Sequence, residues 1–139
     1  MRTAAAEARV KAFAALITER KRQIAVEGWT AEHDDAHDGS EMLRAAIIYY
    51  QNAGGLVYEG EVIPLSVDDN GIPLGWPWSP EWWKPKTPER DLIRAGALCL
   101  AEKERRLRAT PIIVTHPVDH KLDLIVNKLA QFYEESPTK

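Results

Sequence analysis

Three prolines and four tryptophans fall within the eleven residues from Trp76 to Lys86, and the chain then reads Thr87-Pro88-Glu89. Proline lacks an N–H and locks φ, so residues 76–86 cannot run through as helix or as central strand. The segment is therefore a loop, whether ordered or disordered. Directly after it come a capping hydroxyl, a proline at the first helical position and an acid in the first turn, which predict a helix from Pro88 to Arg108. A chain built this way has to arrange its helices around a long aromatic loop.

The other segments are read in the same way. From Ala4 to Glu27 the apolar residues Val10, Phe13, Ile17 and Ile24 share one face of a long first helix, which Gly28 ends. Residues 29–37 are too polar for a core helix and read as a turn or a short helix from Thr30. Asp38 and Glu41 have the spacing of a capping box, so a second helix runs from Gly39 to about Ala53, stopped by Gly54-Gly55. Loose alternation over residues 56–74 around Asp68-Asp69-Asn70-Gly71 suggests a β-hairpin. After Ala109 comes an extended stretch, then a helix opened by Pro117 whose stripe of Val118, Leu122, Ile125, Leu129 and Phe132 needs a partner. The expected fold is mainly α, a small bundle of about four helices with a short β-hairpin insert. Residues 1–108 form a helical core domain with the Trp-rich loop. Residues 109–139 form a C-terminal extension whose amphipathic helix packs on the core or on another subunit of a homo-oligomer.

Composition bounds the function classes. With 139 residues and 45% hydrophobic content, one ordinary core suffices without staples. The formal charge of -3 argues against duplex DNA as a partner, which normally calls for a basic face. The lone Cys99 lies in an apolar run and reads as core. No signal-peptide stretch and no run of the roughly 18 apolar residues of a membrane span is present, so no membrane association and a cytoplasmic location are expected.

Two constellations could carry chemistry. Between Arg22 and Arg44 there is no lysine or arginine, while Glu27, Glu32, Asp34, Asp35, Asp38 and Glu41 crowd together with His33 and His37. Such an oxygen-rich set with occasional imidazole suits Mg²⁺ or Mn²⁺, with Glu32, His33, Asp34, Asp35, His37 and, if it faces inward, Asp91 as candidate ligands. The plainer reading is that these residues cap two helices and face water. The second constellation joins Trp76, Trp78, Trp82 and Trp83 to Lys84, Lys86, Arg90 and Arg94, with Trp29 a further ring. Flat stacking surfaces beside phosphate-pairing charges are what a nucleotide needs. Equally, large aromatics can simply plug a loop onto the core.

Two stretches resemble a widespread family of uncharacterised phage and prophage proteins. One runs from Glu19-Arg20-Lys21-Arg22-Gln23-Ile24 through Glu27-Gly28-Trp29-Thr30-Ala31-Glu32-His33-Asp34-Asp35-Ala36-His37. The other contains Trp76-Pro77-Trp78 and Trp82-Trp83-Lys84-Pro85-Lys86, and continues to Glu102. The likeness covers about residues 15–108, and the hairpin region and tail depart from it. A more distant likeness is to the all-helical MazG-like nucleoside triphosphate pyrophosphohydrolases, in which helices present paired acids to Mg²⁺. Here the matching helices offer Asp91 then Arg94, and Glu41 then Arg44, so the second acid of each pair is a base. That departure touches hydrolysis more than nucleotide binding.

The resulting expectation is an accessory protein that binds a nucleotide or another phosphorylated small molecule. It would sequester the ligand or hydrolyse a phosphoanhydride by metal-assisted attack of water, with Glu32 or Asp35 as catalytic base. The alternative is a non-catalytic inhibitor that binds a host protein through an exposed tryptophan anchor.

Overall fold

The computed structural model describes residues 3–28, 41–109, 111 and 113–135. Four helices make up most of it: α1 (Ala4–Glu27), α2 (Glu41–Asn52), α3 (Pro88–Arg108) and α4 (His116–Glu135). Between α2 and α3 lie a two-stranded antiparallel hairpin, β1 (Val57–Tyr58) and β2 (Glu61–Val62), and one 3-10 turn at Pro80–Trp82. The mainly helical bundle with a short hairpin is as expected.

Local capping accounts for the helix ends. The Thr3 hydroxyl accepts from the Ala6 N–H at 3.1 Å at the start of α1, and Gly28 closes it in the left-handed region at φ 74°. The Thr87 hydroxyl accepts from the Arg90 N–H at 3.2 Å, so α3 spans the residues that its start signal predicts. At the start of α4 the Thr115 side chain meets Asp119 at 2.9 Å, and Asp119 pairs with Lys103 at 2.8 Å, which ties the helix entry to α3.

The hairpin sits earlier than the alternation suggested. Its turn is Glu59-Gly60, both at positive φ (51° and 82°), the geometry whose twist suits a two-residue hairpin loop. Around Asp68-Asp69-Asn70-Gly71 the backbone makes a single bridge, Val67 to Pro73. There the Asp68 carboxylate accepts from the N–H groups of Asn70 and Ile72, inside a turn that the backbone closes with Asp68 N–H to the Ile72 carbonyl at 2.8 Å and Leu74 N–H to the Ser66 carbonyl at 2.9 Å.

Helix α3 is the central element, touching α1, α2 and α4. Its apolar and small residues Leu92, Ile93, Ala95, Ala97, Leu98, Cys99 and Ala101 are buried. Burial and the nearby Glu102 push the Cys99 thiol up to about 12, as befits an inert core residue. The stripe on α4 finds its partner inside the same bundle: Val118, Leu122, Ile125 and Leu129 are buried, with Phe132 partly covered at the edge. The C-terminal helix therefore packs on the core.

The first helix packs against expectation. It buries Ala8, Ala12, Leu16, Glu19, Arg20 and Gln23, a face of two alanines, one leucine and three polar side chains, and leaves Val10, Phe13, Ile17 and Ile24 outward. Small residues let α1 and α3 come close together. A methyl group at Gly96 would lie 2.4 Å from Leu16 Cδ2 and 2.9 Å from its Cγ. Gly96→Val, which brings a branched side chain to this crossing, is expected to cost about 1–3 kcal/mol in chemical denaturation. An unchanged unfolding midpoint would show that the two helices are not held at this distance.

Candidate functional site

The Trp-rich loop is ordered, and Tyr49 is its base. This ring, buried at the end of α2, meets Trp76 edge-on at 5.7 Å and Trp83 at 4.8 Å. Trp76 in turn meets Trp78 at 5.5 Å and Trp83 at 5.1 Å, both close to perpendicular or steeply inclined. Such pairs contribute about 0.5–1.5 kcal/mol each beyond the area they bury. The Trp76 indole N–H donates to the Ser79 carbonyl at 3.2 Å, which closes the turn that carries Pro77.

Hydrogen bonds from the helices hold the exit of the loop. The Tyr49 hydroxyl accepts from the Lys84 N–H at 3.2 Å and from Arg94 Nη1 at 3.3 Å, and Arg94 Nη1 also donates to the Lys84 carbonyl at 3.0 Å. Two residues on, the Lys86 N–H donates to Asp91 Oδ1 at 2.8 Å, while Asn52 Nδ2 donates to Asp91 Oδ2 at 2.9 Å. Both oxygens of buried Asp91 thus accept from protein donors, an arrangement that fastens the loop to α2 and α3.

An ion-pair chain runs beside this cluster between α1 and α3. Glu19, buried on α1, accepts from Arg22 Nε at 2.8 Å and from Arg90 Nη2 at 3.0 Å, and Arg22 also reaches Glu27 at 2.8 Å. Burial alone would push the Glu19 carboxyl up, but the hydrogen bonds and charges of Arg22 and Arg90 outweigh it and hold the pKa below 4.5. Gln23, one turn on, is fully buried, and its Oε1 has no hydrogen-bond partner among the described residues.

Several of the residues singled out in the sequence do converge. Trp76, Trp78, Trp82, Lys84 and Arg94 line one small cavity, together with Glu27, Tyr49 and Leu98. Its volume is about 20 Å³, room for a water and not for a base. Trp83 stacks behind it, and Trp82 stands at the rim, 45% exposed, with the Lys84 ammonium 5.3 Å from its ring centre. Arg90 faces α1 and Glu19, away from the cavity lining. Lys86 joins the site through its backbone. Trp29, Glu32, His33, Asp34, Asp35 and His37 lie outside the described residues, and so does the start of the second helix at Gly39. Among the described residues no group of three or more His, Cys, Asp or Glu side chains could hold a metal ion.

Sequence reasoning missed Tyr49, Asn52, Glu19 and Gln23. Tyr49 sits in an ordinary apolar pattern, and nothing local marks it as the ring on which Trp76 and Trp83 pack. Glu19 and Gln23 look like surface residues until α3 supplies Arg90. No family model, curated protein or solved structure matches the chain.

Proposed function

We propose that this protein is a phage-type accessory protein of the cytoplasm that binds a small phosphorylated ligand carrying a planar base, a nucleotide, on the face formed by Trp82, Lys84 and Arg94. One observation carries the reading: a half-exposed indole with the Lys84 ammonium beside its ring stands on a loop that buried groups already hold, at a cavity that Arg94 of α3 also lines. Preorganisation matters because ordering such a loop on binding would otherwise oppose association. The cavity is too small for a base to slip between the rings, so stacking occurs on the outer face of Trp82. Stacking on an aromatic ring contributes about 1–3 kcal/mol per base. The carboxylates that would serve hydrolysis, Glu32 and Asp35, with any Mg²⁺ or Mn²⁺ they hold, lie outside the described residues, so the reading stated here is binding.

Tryptophan fluorescence and thermal shift across linear and cyclic nucleotides, with and without Mg²⁺, test it directly. At least one nucleotide should quench emission and raise Tm. Trp82→Ala should weaken that binding by about 5- to 150-fold, the equivalent of one stacked base. Because the ring is exposed, the melting temperature of the free variant should hardly move. A flat response to every nucleotide overturns the reading.

A second reading, a docking site for a partner protein, is favoured by the smallness of the cavity. A tryptophan exposed at the rim of a cavity that an arginine also lines has the composition of an interface hot spot. Under this reading nucleotides leave the protein unaffected, while Trp82→Ala abolishes capture of a defined partner from host lysate.

A further inference from the structure

The outward face of α1 is more apolar than the face it buries. Val10, Phe13, Ile17 and Ile24 are 50%, 37%, 48% and 40% exposed, whereas Glu19, Arg20 and Gln23 are inside. Along this face Val10, Phe13 and Ile17 edge a shallow, open and almost wholly apolar groove. A surface helix normally turns such a stripe toward its own core. Here the spacing of 10, 13, 17 and 24 is that of a coiled-coil seam, in which the cover is another helix.

We infer that this face is the docking surface for a second copy of the same chain, α1 against α1, antiparallel about a two-fold axis. Charge selects both the occupant and the direction. Glu7 and Lys21 lie at opposite ends of the stripe along one edge, and neither pairs with a charge among the described residues. A parallel pairing would set Glu7 against Glu7 and Lys21 against Lys21. Antiparallel pairing about an axis between Phe13 and Ala14 sets Val10 level with Ile17 of the partner subunit. It also brings Glu7 within one residue of the partner's Lys21, twice by symmetry. Self-complementarity of this kind is what a two-fold interface demands.

The size of the surface sets the strength. In this register residues 4–23 of the two helices overlap over about 30 Å, and a strip about 10 Å wide along it buries roughly 600 Å² over both copies. That is below the ~1,200–2,000 Å² of a tight complex, so the association is weak.

Sedimentation equilibrium of the full chain from about 5 μM to 1 mM reads this out, because the apparent mass should climb from 15.7 kDa toward twice that value. Ile17→Glu should hold the protein monomeric throughout, with its circular dichroism and Tm unchanged because the side chain is exposed. Glu7→Lys should weaken the dimer several-fold, and Glu7→Lys combined with Lys21→Glu should restore it. A monomer at 1 mM, a dimer indifferent to Ile17→Glu, or a charge reversal that fails to rescue would each overturn the proposal.

Discussion

Glu102→Ala is expected to lower the stability of the fold by about 3–5 kcal/mol, the scale of removing one partner from a buried ion pair. Glu102 is fully buried on α3 and accepts from Arg105 at 2.7 and 2.9 Å and from Arg106 at 2.7 Å. The same Arg106 donates to the Val114 carbonyl at 2.9 Å, so the carboxylate also steadies the connection into α4. Its loss takes away the charge that two guanidinium groups share. Glu104→Ala, two residues on and so turned to nearly the opposite side of α3, removes an exposed carboxylate whose bonds to Arg20 are long, 3.5 and 3.4 Å, and should cost clearly less than Glu102→Ala. Urea denaturation of the two variants makes the comparison, and equal losses would show that the Glu102 cluster is not holding the helices.

Acid sensitivity follows from the same groups. Burial would raise the Glu102 pKa, yet the hydrogen bonds from Arg105 and Arg106 and their charges hold it below 4.5. A carboxyl whose folded pKa lies below its unfolded one contributes stability that is fully present above about pH 4.5 and is lost as pH falls through the folded value. Glu19 acts in the same direction. Glu102→Gln, which cannot titrate, should therefore show a shallower decline in stability below pH 4.5 than the parent protein.

The other large effect is expected at Tyr49. Tyr49→Ala removes a buried ring against which Trp76 and Trp83 pack, at a cost of about 3–5 kcal/mol, the range for deleting a core aromatic. It also frees the loop, because the hydroxyl that accepts from Lys84 and Arg94 is lost with the ring. The near-ultraviolet circular dichroism should collapse and tryptophan emission should shift to the red, together with loss of any ligand that stacks on Trp82. Tyr49→Phe keeps the ring and should cost only about 0.5–1.5 kcal/mol, the net value of a hydrogen bond. A Tyr49→Ala protein with its near-ultraviolet spectrum intact would show that the tryptophans do not rest on this residue.

The sequence-level readings succeeded where the physics is local. Thr87, Pro88 and Glu89 mark the start of α3 because a hydroxyl, a preset φ and a first-turn acid act within four residues. Gly28 marks the end of α1 because a left-handed residue is needed at that point alone. The hairpin was displaced because Asp68-Asp69-Asn70-Gly71 carries every mark of a turn, and a turn does close there, but Pro73 opposite Val67 has no N–H with which to extend a ladder. Which face of α1 would be buried was not legible. Hydrophobic spacing points to Val10, Phe13 and Ile17, but α1 packs on both α3 and α4, and α3 offers Gly96 for close approach and Arg90 to meet Glu19.

From residue order alone came the helices, their ends, the loop that interrupts them and the pairing of aromatic with basic side chains near residue 80. Each of these depends on neighbours a few positions apart. Only the folded arrangement decided that Tyr49 gathers the tryptophans, that Asp91 clasps Lys86 and Asn52, and that Arg90 turns to Glu19. Apart from the short link of Asp91 to Lys86, those choices join residues 27 to 71 positions apart, and burial makes a charge or a hydroxyl take whichever partner the packing of the helices brings within reach.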